Sequence, residues 1–151
     1  MSNISAADTD ATSAIVDERN LPDVSPLLSH EAVDLLLGAH LAFVACRTGH
    51  GNQHLLYRIA YAVYLSYLLW SEGFAVADAN FYLRAERELE AASRRGYESG
   101  QWTVSASAED AFCQFLRIFD QQLETTNAEI LGRAKTRLDQ IFRVARDGLK
   151  K

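Results

Sequence analysis

Leu35–Cys46 (LLLGAHLAFVAC) and Leu55–Trp70 (LLYRIAYAVYLSYLLW) decide the fold. Only His40 is strongly polar in the first stretch, and only Arg58 and Ser66 break the second. A helix that crosses hydrocarbon needs about 18–20 apolar residues in a row, and a charge at membrane depth is costly. Both uninterrupted runs are too short for that, and Arg58 divides the second. Between them lies Gly49-His50-Gly51-Asn52, in which Gly49 is suited to stop one helix and Asn52 to cap the next. A buried core hairpin over residues 26–72 is predicted, not a membrane hairpin. The first helix, apolar nearly all round, is expected to lie at its centre.

That helix can start at Ser25-Pro26, an N-cap followed by Pro at the first helical position, or at Ser29, and should run to about Thr48. Gly73 ends the second helix. A third is predicted from Asp78 or Asn80 to Gly96, with Phe81, Ala85, Leu89 and Ala92 on one face. Its other face holds Arg84 with Glu88 and Glu90 with Arg94, each pair four residues apart and able to bridge. Residues 97–107 (YESGQWTVSAS) have strand-like or loop character. Ser107 with Asp110 resembles a capping box for a fourth helix whose core face is Phe112, Phe115, Leu116, Phe119 and Leu123. Thr126 with Glu129 resembles another, opening a fifth helix with Leu131, Ala134, Leu138, Ile141 and Ala145 in a 3-4-3-4 row. The fold class is therefore all-α, a single-domain four- or five-helix bundle around a hydrophobic helical hairpin.

The chain has 151 residues, 48% of them hydrophobic, with 15 Lys+Arg against 20 Asp+Glu and a net charge of −5. One domain of this length can bury about 68–70% of its unfolded surface. Residues 1–24 carry five acids against Arg19 and few large apolar side chains, so they are expected to form a flexible acidic tail ahead of a bundle domain over 25–151. The tail lacks the basic and apolar regions of a signal peptide. The two cysteines are not in a CxxC spacing, which argues against a disulfide scaffold. A cytoplasmic protein without membrane partner is the expectation. Net acidity also argues against a surface that wraps nucleic acid.

His30, His40, His50 and His54 fall close together in the sequence, with Cys46 among them. On an antiparallel hairpin they spread along the axis, so no metal site is expected. His40 alone interrupts an apolar helix; it is read as a core-edge side chain with a hydrogen-bond partner, or as a ligand or pH switch. Cys46 sits at a helix C-terminus, where the dipole disfavours a thiolate, and Cys113 lies among phenylalanines. No GxSxG, Walker, GxGxxG, HExxH or CxxCH pattern occurs. Catalytic chemistry and a cofactor are accordingly not expected.

The most specific surface feature is on the second helix. Tyr57, Tyr61 and Tyr64 fall within about 60° of one another, with His54 and Leu68 extending the row and Tyr67 flanking it. Phenols packed along a bundle edge would be the ordinary outcome. A recognition face is the functional one, because Tyr gives large rigid contact area at low entropic cost. The last helix is basic, with residues 127–151 at +4. Lys135, Asp139, Arg143, Asp147 and Lys151 alternate in sign every four residues and can pair with one another, leaving Arg137, Arg146 and Lys150 as candidate polyanion contacts. The expected function is a small protein–protein interaction or regulatory module, with another protein or a second copy as partner. A DNA-associated regulator using the last helix is the alternative, and a small-molecule sensor centred on His40 the third.

Overall fold

The computed structural model describes residues 29–150 as five helices: α1 (His30–Arg47), α2 (Gln53–Ser71), α3 (Ala79–Ser99), α4 (Glu109–Thr125) and α5 (Ala128–Leu149). The expected acidic tail and the Ser25-Pro26 start lie outside the described residues. Ser29 provides the observed start instead, its side chain accepting from the Ala32 amide at 3.1 Å. Asn52, Asp78 and Asn127 cap α2, α3 and α5 in the same way, each accepting from the amide three residues on.

The hairpin forms, but its centre is the other helix. Helix α2 packs against all four of the others, while α1 touches chiefly α2 and α4. Ala32, Ala39, Ala42, Phe43 and Cys46 bury one face of α1; Val33, Leu37, Leu41 and Val44 stay exposed. Two neighbours cannot cover a helix that is apolar all round. Helix α2 takes the middle because Leu56, Ile59, Val63, Leu65 and Leu69 bury its aliphatic sides against several partners at once.

The amphipathic helices behave as their periodicity requires. Phe81, Ala85, Leu89 and Ala92 are buried on α3, as are Phe112, Phe115, Leu116, Phe119 and Leu123 on α4. On α5 the row is buried only as far as Leu138; Ile141 is exposed and Phe142 turns in. No Arg84–Glu88 or Glu90–Arg94 bridge forms among the described residues; Arg84, Glu90 and Arg94 stay exposed, and half-buried Glu88 accepts from the Ser105 hydroxyl at 3.3 Å instead.

Three boundaries differ from the sequence reading, each for a local reason. Helix α3 passes through Gly96 and ends at Gly100, which has φ +73°. Gly96 is there for space, since a Cβ would overlap the Trp102 indole laid against it. Residues 100–105 take the loop option of the strand-like or loop reading, held by Arg95 Nη2 on the Thr103 carbonyl at 2.7 Å and by the Val104 amide on Cys46 O at 3.3 Å. Ser107 does not cap α4, because a short 3₁₀ turn (Ala106–Ala108) leads into the helix and the Ser107 hydroxyl meets Ser105. Thr126 closes α4, so the cap of α5 falls to Asn127.

Candidate functional site

Burial along the tyrosine row of α2 falls steadily toward its N-terminal end. Leu68 is buried in the core, Tyr64 and Tyr61 are half-buried, and Tyr57 and His54 are exposed. Leu68 is thus a core residue and no part of a surface face. The cover comes from α5, which runs antiparallel to α2. Phe142 sits among the phenols, its ring centroid 5.9 Å from Tyr57, 6.1 Å from Tyr61 and 5.8 Å from Tyr64. Tyr61 donates to Asp139 at 3.4 Å and Tyr64 to Glu86 of α3 at 2.9 Å. Tyr67 packs outside this group, against Trp70 and Tyr82. Much of the row is therefore the seat of the protein's own last helix.

That seating changes the phenols. Burial, then the Asp139 carboxylate, pushes Tyr61 up to about 12; burial, then Glu86, does the same for Tyr64. A phenol held above its ordinary value of 10.0 stabilises the fold fully below about pH 10 and loses that contribution as the pH rises towards 12. Ultraviolet titration is expected to show three tyrosines ionising late, Tyr82 among them because its burial also pushes it up, with stability falling across the same window. In Tyr61→Phe/Tyr64→Phe that late phase should shrink to the contribution of Tyr82.

Between α1, α2 and the start of α5 lies an open cleft of about 660 Å³, lined by Glu31, Asp34, Gly38, Tyr57, Arg58, Tyr61 and Lys135 among others. Lys135 pairs with Glu31 across it, rather than with Asp139 along its own helix. The sign-alternating ladder expected on α5 is consequently not formed among the described residues, outside which its last member, Lys151, lies. Asp139 serves Tyr61, and Arg146 comes within 3.9 Å of Asp147 beside it. Arg137, Arg146 and Lys150 are all exposed, yet Arg137 and Arg146 are nine residues apart and face opposite ways on the helix. They do not make one patch.

His40 reaches Asp120 of α4, Nε2 to Oδ1 at 3.0 Å, with both side chains over a third exposed. It links two helices at the surface, and a carboxylate supplies the partner for its ring. His30, His50 and His54 join no group of three potential ligands, and none occurs among the described residues. Cys46 is fully buried, which pushes its thiol up, and Cys113 is half-buried on another helix.

No family model matches the chain, and no curated protein or solved structure is similar to it.

The surface feature that sequence reasoning missed is on α1. Val33, Leu37, Leu41 and Val44 are 40%, 54%, 59% and 47% exposed and follow one another at spacings of four, four and three. They form a single apolar row on the outer side of the bundle. A signal was present: from Leu35 to Cys46 the helix offers only His40 to water, so some of its apolar surface had to stay open. No described helix is long and apolar enough to cross a membrane.

Proposed function

We propose that this protein is a cytosolic protein–protein interaction module that associates with a second copy of itself through the outer face of α1. The observation that carries the reading is the order of the exposed row, Val33-Leu37-Leu41-Val44. It reads almost the same in both directions. A two-fold axis between Leu37 and Leu41 would set each leucine against its counterpart and Val33 against Val44 of the other copy, which is what an isologous antiparallel contact requires. Antiparallel pairing also aligns the two helix dipoles favourably. Free thiols on separate helices suit a reducing setting.

Helix α1 has 18 residues and is therefore about 27 Å long. One helix paired with its copy lies at the small end of specific interfaces, where contacts are reversible. Sedimentation velocity from micromolar to submillimolar concentration is expected to show mass rising from monomer to dimer. Leu37→Glu/Leu41→Glu should stay monomeric with an unchanged helical melt, while Tyr61→Phe/Tyr64→Phe should still associate. A wild-type monomer throughout, or a charged variant that dimerises as before, would refute the reading. The DNA and His40 readings gain no such support from the geometry.

A further inference from the structure

Arg58 is the one charge in the apolar run of α2, and α1 is shaped to receive it. Gly38 stands in the middle of α1, where glycine costs about 1 kcal/mol relative to alanine. A Cβ there would lie 3.3 Å from Arg58 Nη1, so the bare backbone makes room for the guanidinium. Arg58 Nε donates to His54 Nε2 at 3.3 Å, and no carboxylate comes within 4 Å of the guanidinium among the described residues. Its remaining N–H groups are available to the cleft. Asp34 lines the same cleft, one helical turn before Gly38, and has no basic partner within 4 Å among the described residues. Glu31, in contrast, is neutralised by Lys135.

Among the described residues the cleft thus holds one cation and one anion without an ionic partner, Arg58 on α2 and Asp34 on α1. Tyr57 and Tyr61 supply an aromatic wall, held from behind by Phe142. A simple anion would satisfy Arg58 and be repelled by Asp34; a simple cation would meet the reverse. A ligand with both charges, such as an ammonium and a carboxylate on one carbon, satisfies the two together. We infer that the cleft between α1 and α2 binds a zwitterionic α-amino acid with an aromatic or large apolar side chain. Its carboxylate meets Arg58, its ammonium meets Asp34, and its side chain lies on Tyr57 and Tyr61. The cleft's 660 Å³ is within the usual range of about 300–1,000 Å³ for small-molecule sites. This site is separate from the α1 row proposed for association and does not depend on it.

Isothermal titration calorimetry of the full chain with L-phenylalanine tests the assignment, with hydrocinnamate (no ammonium) and phenethylamine (no carboxylate) as paired probes. L-Phenylalanine is expected to bind, and each analogue about tenfold more weakly or worse, since each loses one charge-assisted contact. Arg58→Met should abolish binding and Gly38→Ala weaken it, with helical melts confirming that both variants fold. Asp34→Asn should weaken L-phenylalanine while leaving hydrocinnamate no weaker than before. No heat with L-phenylalanine at millimolar concentration, unaltered binding to Arg58→Met, or hydrocinnamate binding as tightly as the amino acid would overturn the inference.

Discussion

Phe119→Ala is expected to destabilise the protein by about 3–5 kcal/mol, the range for truncating a fully buried aromatic. Phe119 is 0% exposed, and its ring stacks on Phe115 at a centroid distance of 5.6 Å. Together with Phe112, these rings form the apolar face that α4 turns toward the hairpin, where Phe112 meets Phe43 of α1 at 5.9 Å. Removing the ring loses its transfer free energy and leaves a cavity, which helices fixed by caps at several ends can fill only in part. Urea unfolding followed by circular dichroism should show a lower midpoint with an unchanged slope. A loss below about 1 kcal/mol would mean that α4 does not sit where described.

The second large effect is expected at Gln122, which with Ser66 is one of two polar side chains buried in the core among the described residues. Its Oε1 accepts from Ser66 Oγ at 2.7 Å; its Nε2 donates to Ser66 O at 3.0 Å and to Phe74 O at 3.1 Å. Ser66 Oγ in turn meets the Tyr82 hydroxyl at 2.9 Å, so one amide ties α2, α3 and α4 together. It also holds the α2–α3 loop beside Ala75, whose φ of +77° is unfavourable for a residue with a Cβ. Gln122→Ala removes volume and leaves buried polar atoms unpaired, and should cost about 3 kcal/mol or more. Gln122→Leu restores the volume without the hydrogen bonds, and should recover only the packing part of that loss. If both variants melted with the wild type, the network would contribute nothing to stability.

The fold was legible where periodicity was strong. Helices α3 and α4 each have one apolar face in the sequence, and those faces are the buried ones. The caps Ser29, Asn52 and Asp78 were legible too, because the side-chain oxygen does the work locally, whereas the cap of α5 was placed one residue early, at Thr126 instead of Asn127. Contacts between distant segments were harder to read. Gly96 resembles a helix stop until Trp102 is seen against it, and Ser107 resembles a cap until the 3₁₀ turn is seen. The hairpin was clear from composition, but which of its helices lies in the middle depends on how many partners each acquires.

The candidate site was legible in part for the same reason. Spacing alone put Tyr57, Tyr61 and Tyr64 on one face, and they do share it. Spacing could not tell that Phe142, eleven residues after Leu131 on a helix with an apparent Ile141 seam, would occupy that face. Likewise, the charge ladder on α5 was sound as local geometry, but Glu31 and Tyr61 offered Lys135 and Asp139 partners across helices. The open apolar surface therefore moves from the phenols of α2 to the aliphatic row of α1.

Hydroxyl-radical footprinting of the full chain at low and high protein concentration tests that relocation most directly. At low concentration Leu37 and Leu41 are expected to be modified readily and Tyr61 and Tyr64 slowly, in keeping with their exposure. At high concentration Leu37 and Leu41 should become protected while the tyrosines do not change. Protection that appears at Tyr57, Tyr61 and Tyr64, with Leu37 and Leu41 still reactive, would contradict the account.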